Sequence, residues 1–145
     1  MKKILFISSH SPFETNSGAH QRSNLLFKTL NGIGKVDLIC FSNDHLSEED
    51  KYNDNYTIKF FGPKNNLTPK KSSKLQKLFS FFNTDCIAPK NEFCSNIVSD
   101  NLKKNSYDYI VIRYIQNAIK CGITKGHNVI IDVDDLPEQQ FLKIA

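Results

Sequence analysis

Four short stretches of this 145-residue chain are largely apolar and do not alternate: residues 3–8 (KILFIS), 36–41 (VDLICF), 108–113 (DYIVIR) and 128–132 (NVIID). A strand with one face in water alternates apolar and polar side chains, whereas a strand covered on both faces does not. These runs therefore predict buried strands of a parallel sheet. Helical spacing fills the intervals. Over residues 20–30, Leu25, Leu26 and Leu30 recur at helical intervals, and Asn31, Gly32 and Gly34 close the helix. Residues 92–103 and 72–82 are further helix candidates, 118–121 belongs to a short helix, and 57–61 (TIKFF) is a third, shorter strand. Strand, loop, helix and strand over the first forty residues make a βαβ unit. The fold class expected is α/β, a Rossmann-like doubly wound parallel sheet of at least five strands with residues 3–8 at its centre.

Length and composition fit one globular domain. The net charge of +4 is mild; it favours an anionic partner without choosing its class, and nucleic acid is not expected. Cys40, Cys86, Cys94 and Cys121 include no CxxC pair and have no His at metal-ligand spacing, so they are expected to be reduced and inert, and no metal is expected. The apolar run after Met1-Lys2-Lys3 ends at Ser8-Ser9-His10, too early for a secretory signal, and no run approaches the ~18 residues of a membrane span. A cytoplasmic location follows. The tail, residues 138–145, reads as the opening of another helix whose apolar Phe141, Leu142 and Ile144 call for a partner further along the chain.

In open α/β sheets ligands bind beyond the carboxyl ends of the strands, where the strand order reverses. The residues expected there are 8–22, then Arg113 and Tyr114, then 132–135. The first loop ends in Asn16-Ser17-Gly18-Ala19, where free backbone N–H groups at a helix start favour an anion and a glycine lets a phosphate approach. Neither GxGxxG nor GxxxxGK[ST] is present. Only two of the 19 basic residues are arginines, Arg22 and Arg113, and both fall at this edge. Arginine is the residue suited to planar, bidentate contacts. Asp132, Asp134 and Asp135 form the densest acidic cluster; carboxylates at a strand end bind a metal, act as bases or accept sugar hydroxyls. His10 and His20 flank the first loop. Each feature also has a purely structural reading: Ser17 as a helix cap, Gly18 as an easy turn, Arg113 as the ion-pair partner of Asp132 or Asp134, and Asp134 or Asp135 as caps ahead of Leu136-Pro137.

Taken in order, these features resemble the N-terminal domain of bacterial GT-B glycosyltransferases of the family 4 type. Ser17-Gly18-Ala19-His20-Gln21-Arg22 stands where that family has a Gly-Gly-x-x-Arg segment. Residues 32–39, 107–112 and 128–136 resemble its later strands. The first glycine of the pair is Ser17 here, and Asp134 stands where many relatives have a His. The resemblance spans nearly the whole chain. It implies transfer of a sugar, of the hexosyl type, from a nucleotide-sugar donor to a glycan or lipid-linked acceptor in cell-surface polysaccharide synthesis. It also implies that residues 1–145 are the acceptor-side domain, with the nucleotide-sugar domain lying outside this sequence and no cofactor bound by this domain alone. On this reading Ser17, Gly18, His20, Arg22, Arg113 and Asp132 bind substrate, and Asp134 and Asp135 are the catalytic candidates. The alternative is a free-standing flavodoxin-like binding domain without catalysis. A receiver domain needs an acidic pair where this chain has Ser8-Ser9-His10, and a haloacid-dehalogenase reading needs its DxD strand early rather than last.

Residues 69–82 (PKKSSKLQKLFSFF) carry an apolar stripe, Leu75, Leu78, Phe79 and Phe82, at helical spacing. Lys70, Lys71, Lys74 and Lys77, with Phe81 beside them, suit an anionic bilayer, each lysine contributing about 1 kcal/mol. Weak peripheral attachment at the inner membrane face is the expectation; packing of the stripe on the sheet is its alternative.

Overall fold

The computed structural model describes residues 1–14, 16–41, 51–53, 56–60, 90–123 and 125–133. The first apolar run becomes strand β1 (Lys2–Ser8), with residues 4–8 all buried. Helix α1 (Gly18–Ile33) leads directly into β2 (Gly34–Cys40). A short β3 (Lys51–Asn53) and β4 (Tyr56–Phe60) follow, then α2 (Glu92–Lys104), β5 (Tyr109–Arg113), α3 (Ile115–Cys121) and β6 (Val129–Asp132). Among the described residues the sheet order is β3-β4-β2-β1-β5-β6. Five of these strands are parallel; β3 alone runs antiparallel, against β4. Taking the parallel strands in chain order, the sheet reads third, second, first, fourth, fifth. This is the doubly wound order, with its switch point between β1 and β5. The expected central place of residues 3–8 is thus observed.

One side of the sheet packs under α1 through Ile4, Phe6, Val36, Leu38, Cys40, Ile58 and Val111 around Phe27. The other side meets α2 and α3 through Leu5, Ile7, Ile39, Ile110 and Ile112 against Cys94, Val98, Ala118 and Cys121. Two covered faces account for the missing alternation in β1, β2 and β5; β6, expected to be buried as well, is the last strand in the order, none of its residues is buried and Ile130 is 52% exposed. Helix α2 begins where the Asn91 side chain accepts from the Cys94 N–H at 3.2 Å, with Glu92 in its first turn and Lys103 and Lys104 in its last, each complementing the helix dipole.

Several expectations shift. Helix α1 runs through Asn31 and Gly32 and ends at Ile33; Gly34 caps it by donating its N–H to the Leu30 carbonyl while already extended as the first residue of β2. The inward face of α1 is His20, Ser23 and Phe27, with Leu26 and Leu30 partly buried beside Phe27, whereas Leu25 is 65% exposed. Leu25 is two positions from both Ser23 and Phe27, roughly 200° around a helix, so it points away from the sheet. Strand β3 carries no apolar run and was not expected. Cys40, Cys94 and Cys121 are free and buried, and burial raises the Cys94 thiol pKa and pushes that of Cys121 up to about 12, which keeps both protonated and unreactive. Among the described residues no helix is long and apolar enough to cross a membrane. The helices expected at 72–82 and 138–145, the basic residues Lys70, Lys71, Lys74 and Lys77 with Phe81, and Cys86, Asp134 and Asp135 all lie outside the described residues.

Candidate functional site at the switch point

The carboxyl ends of β1, β5 and β6 meet the start of α1, and every described site residue expected from the sequence is found there. At the centre is Arg113, the last residue of β5, which is wholly buried. Its side chain lies beneath the first turns of α1. Nη1 donates to the Ala19 carbonyl and, at 2.6 Å, to Ser23 Oγ; Nη2 donates to the Tyr114 hydroxyl at 2.9 Å. Its Nε is 3.9 Å from Asp132 Oδ2, and its guanidinium carbon is 4.7 Å from the centre of the Tyr114 ring. An arginine stays protonated in any protein site. Its burial explains why Ser23 interrupts the apolar face of α1 over this end of the sheet: a buried cation needs acceptors, not methyl groups.

Asp132 closes β6 in register with Arg113. From the other side Arg22 donates through Nη2 to Asp132 Oδ1 at 2.7 Å. The two arginines of the chain therefore converge on one carboxylate. Arg113 does not face open solvent as a substrate ligand would; the structural alternative, pairing with Asp132, describes its position, and Arg22 is the exposed member, 43% accessible.

Loop residues 9–14 and 16–17 stand over this group. Ser8 Oγ accepts from the His10 N–H at 3.1 Å and donates to the His10 carbonyl at 2.9 Å. That leaves the Ser23 hydroxyl to donate to Ser8 Oγ, 3.2 Å away, while Ser23 Oγ accepts from Arg113. Asn24 holds the loop from α1 by donating to the Pro12 carbonyl at 2.5 Å, and Phe13 lies edge-on to Phe27 with ring centres 5.4 Å apart. Ser17 caps α1: its Oγ accepts from the His20 N–H at 3.3 Å and is 2.6 Å from His20 Nδ1. His20 Nε2 lies 3.3 Å from Glu14 Oε2. The His10 ring packs edge-on against His20 at 5.2 Å and Tyr114 at 5.7 Å, so three aromatic rings meet at this end of the sheet.

Gly18 opens α1, and a Cβ built there meets nothing within 4 Å. Neither packing nor an unusual dihedral asks for glycine at this position. Tyr114, which the sequence places at this edge, carries a backbone conformation that the sequence did not mark. Its φ is +68°, and among the described residues it is the one non-glycine with positive φ. Such backbone costs on the order of 1–3 kcal/mol and persists where the surroundings over-determine it. Here its N–H bonds the Asp132 carbonyl, its own carbonyl receives the N–H groups of Asn117 and Ala118, and the Asn117 side chain bonds the Arg113 carbonyl. A tyrosine gives no local signal for that conformation; its position one residue past a buried strand is the only cue.

At the opposite edge of the sheet a cavity of about 370 Å³ is lined by Lys3, Lys35, Asp37, Thr57, Asn101 and Asn105, among others. Its polar groups bond largely to one another or to Tyr107: Lys3 reaches Asn105 at 2.9 Å and Asp37 at 3.6 Å, and the Tyr107 hydroxyl lies 2.7 Å from Asp37. Burial first, and then the Asp37 carboxylate, hold the Tyr107 phenol protonated far above its usual range. This network ties β1, β2 and α2 together.

Among the described residues no group of three or more His, Cys, Asp or Glu side chains is arranged to hold a metal ion. No protein-family model matches the chain, and no curated protein and no solved structure matches it.

Proposed function

We propose that the chain is the acceptor-side domain of a glycosyltransferase that takes its sugar from a nucleotide-sugar donor. The observation that carries this reading is the meeting of Gly18, Arg22 and Asp132 at the switch point of a third-second-first-fourth-fifth parallel sheet, with open space beside Gly18. A diphosphate leaving group gains charge as the glycosidic bond breaks. The start of α1 offers backbone N–H groups and Arg22 an exposed fork, both suited to that charge. The rings of His10 and Tyr114 meet at the same end of the sheet, and polar-edged aromatic rings suit a sugar acceptor. The ordered loop and the buried Arg113 framework keep these groups in place before any ligand arrives, which is the condition under which positioning lowers a barrier.

The test is sugar transfer by a protein carrying residues 1–145 together with its nucleotide-sugar domain, using radiolabelled donors and lipid extracts as acceptors. Gly18→Val should lower turnover at least tenfold, because a branched side chain fills the open space that a diphosphate would enter, while the melting temperature moves by only a few degrees. Unchanged kinetics would reduce Gly18 to a turn residue. Residues 1–145 by themselves are expected to transfer nothing, since a half-site cannot hold both reactants at attack distance; turnover above a heat-killed control would count against the assignment of domains.

A further inference from the structure

We propose that the Arg22–Asp132 ion pair is a latch across the mouth of the cleft, in which Asp132 occupies the guanidinium that a phosphate group of the ligand takes over on binding. The proposal rests on the glycosyltransferase reading for the identity of the ligand, but its geometry stands by itself. The amino end of a helix is its positive end, and acids in the first turn are the usual complement. Helix α1 has none there. The charged groups gathered around its opening turns are instead Arg22 and the buried Arg113, whose Nη1 donates to the Ala19 carbonyl. Such a grouping is held by anions brought from elsewhere. Among the described residues, Asp132 comes from outside the helix to meet Arg22 at 2.7 Å.

The two arginines on Asp132 are not equivalent. Arg113 has no exposed surface and is fixed from below by Ala19, Ser23 and Tyr114. Arg22 reaches over from α1 with 43% of its side chain in solvent. When Arg22 lets go, Asp132 keeps the Arg113 cation within 4 Å, so opening leaves no buried charge uncompensated. With Arg22 on the solvent side, the pair is open to exchange with an incoming anion. A phosphate offers the guanidinium the same two-pronged acceptor as a carboxylate with more charge, and the open space beside Gly18 adjoins the same helix end. Competition from Asp132 then lowers phosphate affinity and selects for ligands that carry enough charge to win the exchange.

Titration of residues 1–145 with inorganic pyrophosphate, followed by ¹⁵N NMR of arginine Nε–H groups, decides the matter. Asp132→Asn should bind pyrophosphate about tenfold more tightly than wild type, within the usual range of coupling between two sites. Asp108→Asn, which removes the same charge from a pair with Lys2 at the far edge of the sheet, should change binding less than twofold. Arg22→Gln should weaken binding at least tenfold. Asp132→Asn binding no more tightly than Asp108→Asn, or Arg22→Gln binding like wild type, would overturn the latch. Should Asp132→Asn fail to fold, the wild-type chain still answers: Arg22 Nε and the Asp132 carboxyl carbon must shift together and saturate together. An Arg22 response without one from Asp132, or no pyrophosphate response at Arg22, sinks the proposal. Because sugar transfer is read separately, loss of the latch leaves the glycosyltransferase reading to its own assay.

Discussion

Replacing Arg113 with Leu is expected to destabilise the domain by about 3–5 kcal/mol, the range seen when one partner of a buried ion pair is removed. The guanidinium is wholly buried and donates hydrogen bonds to Ala19, Ser23 and Tyr114, so its loss leaves acceptors in α1 and on Tyr114 without their donor. It also takes the nearer-buried cation from Asp132, whose side chain is only 17% exposed. Urea denaturation checks the value, with an unchanged m-value confirming that the native and unfolded states keep their surfaces. Arg113→Lys keeps the charge but not the planar fork and should fall between wild type and Leu. The double replacement of Arg113 and Asp132 by Leu should recover part of the loss, because it removes the charge left without its buried partner. A single Leu variant within 1 kcal/mol of wild type would mean that this network is incidental to the fold.

That network marks where sequence reasoning reached its limit. The strand runs were legible because burial on both faces erases alternation, and the helix expected at 92–103 is found as α2, Glu92–Lys104. The ligand edge was legible too: chain order and the rule of the switch point were enough to bring Ser17, Gly18, Arg22, Arg113 and Asp132 to one end of the sheet. What could not be read was which of these charges faces inward. Arg22 and Arg113 look alike in the chain, and only the packing of α1 on β5 buries one and leaves the other at the mouth. The inner face of α1 was misread for the same reason. Leu25 offered an apolar signal and faces solvent, while Ser23 faces inward, where it accepts from Arg113. The positive φ of Tyr114 arises from bonds to Asp132, Asn117 and Ala118, contacts that no local pattern encodes.

Gly32 and Gly34, two residues apart in sequence, should respond to alanine with opposite signs. Gly32 lies in the last turn of α1, and a Cβ there meets nothing within 4 Å. Alanine at such a helical position relieves the backbone entropy that glycine loses on folding, so Gly32→Ala should stabilise by about 0.5–1 kcal/mol. Gly34 stands where the helix becomes a strand without an intervening loop. Its dihedrals, φ −165° and ψ −177°, are open to any residue, so conformation is not the constraint. The constraint is distance: a Cβ on Gly34 would lie 2.3 Å from the carbonyl oxygen of Lys2, its register partner in β1. That oxygen belongs to backbone and cannot swing aside as a side chain would. Relief requires β1 and β2 to part or α1 to shift over the buried Phe27. Gly34→Ala should therefore cost about 1–3 kcal/mol, the range for overpacking, and thermal melts of the two variants should move in opposite directions from wild type. If both alanines raise the melting temperature, the close approach of Gly34 to Lys2 does not hold the first βαβ unit together as described.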